Sequence, residues 1–217
     1  MSNAREWAKR FEAVLHDRLG PDGSHDIGHF RRVWRTSQEI AAREGGDLEV
    51  LAAAAWFHDL VNPPKDSPDR QRASTLSAEA AAPILDEQGF PMAKLPAVQH
   101  AIAAHSFSAG ITPETLEAKI LQDADRLDAL GAIGIARTFY VAGRMNSSLF
   151  DPEDPLATAR TSDDRAFALD HFETKLFRIA ERLNTATARD LAEQRVSYMR
   201  AFVSTLVDEI AGAGDPA

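Results

Sequence analysis

The 217-residue sequence contains no cysteine. This absence excludes disulfide bonds, thiolate zinc sites, iron–sulfur clusters and thiol nucleophiles. Long hydrophobic runs are also missing, since the longest candidate, residues 50–57, is far shorter than the roughly 20 residues needed to cross a bilayer. Residues 1–11 include four charged side chains and lack the apolar core of a signal peptide. We therefore expect a cytoplasmic protein with no membrane partner.

Basic residues are fewer than acidic ones, with 24 Lys and Arg against 33 Asp and Glu, giving a formal net charge of −9. Phosphate backbones attract basic surfaces, so we expect no nucleic-acid polymer as partner. A small phosphorylated substrate remains compatible with this charge, because a bound cation can reverse the sign of the local field.

Helical periodicity dominates what is present. The pattern predicts helices over residues 7–15, 27–41, 48–60, 75–88, 95–105, 112–127, 165–183 and 185–211. Residues 63–72 are expected to form a polar loop, and residues 144–164 an excursion over the surface. No alternating strand, glycine-rich phosphate loop, repeat or linker interrupts this pattern. The sequence predicts one all-α domain.

The candidate chemistry lies in His58-Asp59, which follows the apolar stretch 53–57, and in His29, at the edge of the apolar stripe of the second helix. An ionised Asp beside an apolar run is costly unless it is paired or bound to a cation. The alternatives are an Asp that has reached solvent and a partly buried, hydrogen-bonded His. Asp125 lies in a later helical segment. Two imidazoles and two carboxylates without sulfur suit Mn, Fe, Co, Ni, Zn or Mg.

The order His29, His58-Asp59, Asp125 resembles the H…HD…D pattern of the HD-domain superfamily of metal-dependent phosphohydrolases. The stretches that carry the resemblance are HDIGHFRRVW at 25–34, WFHDLVNPPK at 56–65, HSFS at 105–108 and EAKILQDADRLDALGAIGIAR at 117–137. They are similar to the stand-alone bacterial subfamily, which includes manganese-dependent nucleoside-triphosphate pyrophosphohydrolases. The likeness continues through HFETKL at 171–176 and covers nearly the whole chain.

This resemblance implies a single-domain HD-type helical bundle over residues 1–217, with a core at about 24–130 and C-terminal helices at about 165–211 packing on it. It implies that His29, His58, Asp59 and Asp125 hold a divalent metal, with Mn preferred and Mg, Fe, Co, Ni or Zn as alternatives. Asp125 is preferred to Asp123 because ADRL at 124–127 reproduces the family's setting of the last ligand.

The function implied is hydrolysis of (deoxy)nucleoside triphosphates to monophosphate and pyrophosphate. Two alternatives stay open. One is a phosphomonoesterase or phosphodiesterase acting on another phosphorylated small molecule. The other is a non-catalytic regulatory module that binds a nucleotide without turnover.

The catalytic candidates are Asp59 and three groups that could move protons, His25, Asp26 and His105. Some HD enzymes place a carboxylate three residues after the His-Asp pair, but this chain has Asn62 there, and an amide cannot act as a general base. His105 could instead only cap its helix.

Four residues are candidate substrate contacts: Lys65, Arg126, Asn62 and Phe107. Surface charge or a structural role is the alternative for Lys65 and Arg126. The C-terminal apolar residues Leu206, Val207 and Ile210 could pack internally or against a second copy, which leaves a homodimer open.

Overall fold

The computed structural model describes residues 3–16, 18, 27–63 and 67–212, apart from the side chain of Phe107. Its α-helices are α1 (Ala4–His16), α2 (Ile27–Glu44), α3 (Leu48–Phe57), α4 (Ala73–Glu87), α5 (Leu95–His105), α6 (Leu116–Asp128), α7 (Gly131–Arg144), α8 (Phe177–Ala180) and α9 (Ala186–Ala211). Short 3-10 helices form at Pro68–Arg72, Met92–Lys94 and Phe107–Ala109, and a π-helical turn forms at Phe172–Leu176. The prediction of an all-α fold is confirmed.

The chain divides into two compact units. The first comprises Met1–Asp125 with Asn184–Ala188, and the second comprises Arg126–Leu183 with Arg189–Ala217. The prediction of a single domain over the whole chain stays a prediction, as does the homodimer.

The core of the first unit is built around α3, whose residues from Val50 to Phe57 are all buried. Helices α1, α2 and α5 each pack against it. Phe11 of α1 is fully buried, and its ring lies 5.0 Å from that of Phe57. Burying one such side chain contributes about 1.5–3 kcal/mol. Because neighbours surround α3, its last residue reaches the interior of the unit.

Both ends of the turn from α2 into α3 are specified locally. Gly45 adopts a φ of 88°, a left-handed conformation that glycine tolerates, and its N–H donates to the carbonyl of Ala41 at 2.9 Å. Asp47 then caps α3 by accepting from the N–H of Glu49 at 2.9 Å. This turn fixes where α3 begins, and therefore where His58 and Asp59, the two residues directly after its end, lie.

The second unit contains α7, α8 and most of α9, with a long ordered segment between α7 and the π-helical turn. Aromatic rings form its core, with Phe172 lying 6.2 Å from Phe139 and 6.2 Å from Phe202. Arg160 ties the long segment together, since its two Nη atoms donate to the carboxylate of Asp170 at 2.6 and 2.8 Å. This bidentate ion pair orders a stretch that has almost no regular structure.

Several sequence-based boundaries differ from the structure. Helix α7 was not predicted as a separate element, and the helix expected over 165–183 shortens to a π-helical turn plus α8, Phe172 to Ala180. The loop expected over 63–72 ends in the 3-10 helix Pro68–Arg72, because Ser67 accepts from the N–H of Asp69 at 3.2 Å and starts a turn there. In the part of the chain that the structure describes, no helix combines the length and apolarity needed to span a membrane.

Candidate metal centre

Three separate elements of the first unit bring four side chains together. His29 projects from the first turn of α2, His58 and Asp59 directly follow the last residue of α3, and Asp125 lies near the end of α6. The Nε2 atoms of His29 and His58 are 3.1 Å apart. Asp125 Oδ1 lies 3.6 Å from His29 Nε2 and 3.8 Å from His58 Nε2, and Asp59 Oδ2 lies 3.7 Å from His58 Nε2.

These separations are compatible with ligands of one cation. Nitrogen and oxygen ligands bind a metal such as zinc at about 2.0–2.2 Å, so neighbouring ligand atoms lie roughly 3.0–3.4 Å apart in octahedral or tetrahedral geometry. The four distances, 3.1, 3.6, 3.7 and 3.8 Å, fall within or slightly above that range. The ligand atoms of His29, His58 and Asp125 all lie within 4.8 Å of one another, and His58 also belongs to a second such group with Asp59 and His105.

The orientation of His58 also suits a metal ligand. Its Nδ1–H donates to the carbonyl oxygen of Ala55 at 2.9 Å, which leaves the lone pair of Nε2 directed at the cluster. Burial against Phe30 and the neighbouring imidazoles lowers the pKa of His58 to about 4. The imidazole is therefore neutral at pH 7, the form in which it can bind a metal.

Solvent reaches this cluster through its carboxylates. The side chains of His29 and His58 are 1% and 0% exposed, whereas those of Asp125 and Asp59 are 29% and 23% exposed. A metal held here would have buried nitrogen ligands on one side and open positions on the side of the carboxylates, as in catalytic sites.

His105 extends the cluster on the side of Asp59. Its Nε2 lies 3.4 Å from Asp59 Oδ1, and its Nδ1 donates to the carbonyl of Ile102 at 2.7 Å. Burial would lower the pKa of His105, but the hydrogen bond and charge of Asp59 outweigh burial and raise it to about 8. Burial would likewise raise the pKa of Asp59, yet the fields of His58 and His105 with the His105 hydrogen bond hold it well below 3.8.

Asp123 has a different environment although it is only two residues from Asp125. It is fully buried, and its carboxylate accepts from the backbone N–H groups of Asn184 and Thr185 at 2.9 and 2.8 Å. It also accepts from the Thr185 hydroxyl at 2.8 Å. Asp123 thus holds the segment Asn184–Ala188 within the first unit, and its oxygens are already occupied.

The other predicted site residues vary in position. The side-chain oxygen of Asn62 accepts from Arg70. Arg126 donates to the carbonyl of Arg182 at 2.7 Å, so its role as a phosphate contact stays a prediction. His25, Asp26, Lys65 and the side chain of Phe107 lie outside the described residues.

Sequence reasoning missed two residues that shape the surroundings of the cluster, Arg70 and Ser77. Ser77 bonds both backbone groups of Val61, at 3.0 and 3.3 Å. Each belongs to a later element than the residue it holds, and a lone Arg or Ser in a polar or helical stretch gives no signal of such a contact.

Comparisons with known proteins agree with this geometry. Residues 26–130 match the family model described as HD domain. The chain is 35% identical over 212 residues to the protein YpgQ of Bacillus subtilis (strain 168), covering 96% of this chain and 92% of that protein. The chain belongs to the HD-domain superfamily.

Solved structures show the same likeness. A crystal structure of Bacillus subtilis YpgQ in complex with ADP superposes with a TM-score of 0.73 at 31% identity, covering 97% of this chain and 98% of that one. An HD-superfamily hydrolase from Bacillus thuringiensis superposes with a TM-score of 0.76 at 30% identity, covering 97% and 100%.

Proposed function

We propose that this protein is a metal-dependent phosphohydrolase that converts (deoxy)nucleoside triphosphates to monophosphate and pyrophosphate. The observation that carries the proposal is that ligand atoms of His29, His58 and Asp125 lie within 4.8 Å of one another, with Asp59 next to His58 and both carboxylates partly open to solvent. The ADP bound to YpgQ and the resemblance to nucleoside-triphosphate pyrophosphohydrolases favour a nucleotide as substrate. We further propose Mn as the metal and the cytoplasm as the location.

A divalent metal at this site would lower the pKa of a water molecule and neutralise phosphate charge. The protein would balance the positive charge of the metal with the carboxylates of Asp59 and Asp125. The two imidazoles would bind the metal through neutral nitrogens. The hydrogen bond from His58 to Ala55 keeps one of them in a fixed orientation. In the reaction, water adds to the α-phosphorus, the bond from that phosphorus to the bridging oxygen breaks, and pyrophosphate leaves.

Proton transfer is the step for which the chain departs from some relatives. Asn62 cannot accept the proton of the attacking water. Of the candidates within the described residues, His105 lies closest to the cluster, with Nε2 3.4 Å from Asp59 Oδ1. We propose that His105 holds the Asp59 carboxylate and contributes to proton handling, whereas His25 and Asp26 remain candidates from sequence alone.

The proposal is tested by titrating Mn into the metal-free protein and measuring hydrolysis of a panel of nucleoside tri- and monophosphates, with pyrophosphate and orthophosphate detected separately. We expect pyrophosphate release by the wild type, at least a 100-fold loss in Asp59→Ala, and no loss in Asp86→Ala, an exposed carboxylate on α4. Orthophosphate as the first product would instead indicate a phosphomonoesterase. Metal binding without any turnover would favour the regulatory nucleotide-binding module.

A further inference from the structure

The segment that follows His58-Asp59 is fixed at two points, and both belong to the first unit. The first point is Val61, whose N–H donates to the hydroxyl of Ser77 at 3.0 Å. That hydroxyl donates in turn to the carbonyl of Val61 at 3.3 Å. Ser77 is fully buried on α4, so the backbone leaving the metal ligands has a rigid support.

The second point is Arg70, on the short helix Pro68–Arg72. Its Nη1 donates to the side-chain oxygen of Asn62 and to the carbonyl oxygen of Pro63, the latter at 3.0 Å. The same short helix packs against the short helix Phe107–Ala109, which begins two residues after His105. Arg70 therefore lies where the chain leaves Asp59 and close to where it leaves His105.

The chemistry of a guanidinium group determines which way the Asn62 amide faces. Arginine has only donors, so the amide atom that contacts it must be the oxygen. The NH2 end of Asn62 then remains to bond another group, and it can only donate. An amide held in this orientation favours an acceptor such as a phosphoryl oxygen over a hydroxyl or amino group that needs an acceptor.

We propose that Arg70 is a positioning residue that fixes the Asn62 amide so that its NH2 group donates to a phosphoryl oxygen of the substrate. The proposal rests on the proposed function, because it takes Asn62 as a substrate contact. It gives a role to an Asn at a position where some HD enzymes carry a carboxylate: a donor to phosphate replaces a group that would repel it.

The test measures binding of ADP to the Mn-loaded protein by calorimetry, which needs no turnover. Asn62→Asp keeps an acceptor for Arg70 but replaces the donor by an anion, and we expect at least tenfold weaker ADP binding with unchanged thermal stability. Arg70→Met is expected to weaken binding about tenfold, and Arg70→Lys, which retains one donor group, to recover part of the loss. Arg72→Met is the matched control, because Arg72 lies on the same short helix, is exposed, and has its Nη1 3.8 Å from Asp69 Oδ1. This variant should bind ADP normally.

A double-mutant cycle separates positioning from direct contact. In an Asn62→Ala background, Arg70→Met should lower the affinity for ADP less than twofold, because the amide that Arg70 orients is absent. The affinity for Mn should be unchanged in all variants. The proposal would be overturned if the losses of ADP affinity were additive in the double variant. Normal ADP binding by Asn62→Asp would also overturn it, as would a wild type that does not bind ADP. If Arg70→Met fails to fold, Asn62→Asp and Arg70→Lys decide. A wild type that binds ADP yet hydrolyses no nucleotide would refute only the proposed function.

Discussion

At the scale of single residues, neighbouring carboxylates of α6 have opposite roles. Asp123 is buried and saturated with hydrogen bonds from Asn184 and Thr185, whereas Asp125 is 29% exposed and lies among imidazole nitrogens. The two residues are separated by about 200° around the helix axis, which turns one carboxylate inward and the other to the cluster. We therefore expect Asp123 to stabilise the fold and Asp125 to bind the metal.

Stability and metal binding should separate in variants of these two residues. We expect Asp123→Ala to lower the free energy of unfolding by about 2–4 kcal/mol, because buried N–H and hydroxyl donors lose their acceptor. Asp125→Ala should change the free energy of unfolding of the metal-free protein by less than about 1 kcal/mol. Urea denaturation with a chelator measures both.

The same variants should respond differently to Mn. A ligand that binds only the folded state raises the melting temperature, so Mn should stabilise the wild type and, where it folds, Asp123→Ala. It should not stabilise Asp125→Ala. Stabilisation of Asp125→Ala equal to that of the wild type would contradict the assignment of Asp125 as a ligand.

At the scale of elements, the sequence predicted α1 to α6 well because each has either a clear apolar stripe or glycine and proline at its ends. Helix α5 agrees with the prediction residue for residue. Helix α7 was missed, since no helix was predicted between residues 127 and 165, and only two residues separate it from α6. The π-helical turn has no distinctive sequence pattern, and its first residue, Phe172, is buried in the second unit.

Close packing at the start of α7 explains one of its glycines. A Cβ on Gly134 would lie 2.1 Å from the carbonyl oxygen of Ala129, a backbone atom that cannot move aside easily. We expect Gly134→Ala to lower the free energy of unfolding by more than about 2 kcal/mol. Gly143→Ala, in the same helix with nothing within 4 Å of its Cβ, should raise it by about 0.5–1 kcal/mol. Equal effects in thermal melts of the two variants would refute this explanation.

At the scale of the whole molecule, the all-α class and family membership were accessible from sequence, since the pattern H…HD…D and its flanking stretches are specific. The ligand set is a prediction from that resemblance, and the structure brings His29, His58 and Asp125 within reach of one another and Asp59 next to His58. The contacts that orient the site were not accessible, because Ala55, Ile102, Arg70 and Ser77 act through geometry that spacing does not encode. The division into two units was also not indicated by the sequence, which has no recognisable linker.

Titration of the cluster should be visible in the stability of the entire metal-free protein. The pKa of His58 falls from 6.5 to about 4 on folding. Its contribution to the free energy of unfolding is therefore fully present above pH 6.5 and is lost as the pH falls toward 4. The pKa of His105 rises to about 8, so its contribution is present below pH 6.5 and is lost as the pH rises toward 8. These two groups together favour maximal stability near pH 6.5.

Melting temperatures measured between pH 5 and 9 with a chelator would check this expectation. His105→Gln should flatten the decline on the alkaline side, and it should also soften the decline on the acidic side, because the charge of His105 helps to lower the pKa of His58. An unchanged alkaline decline in that variant would mean that another group causes it.

The discontinuous make-up of the first unit has a consequence for synthesis on the ribosome. The segment Asn184–Ala188 belongs to that unit, where Asp123 accepts from Asn184 and Thr185, and Glu44 accepts from the N–H of Thr187 at 2.7 Å. Residues 126–183 separate it from the rest of the unit, and at 5–20 residues per second their translation takes about 3–12 s. During that delay the nascent first unit holds the buried carboxylate of Asp123 and the half-buried one of Glu44 without their donors, so it is most exposed to proteases and chaperones before residues 184–188 have been made.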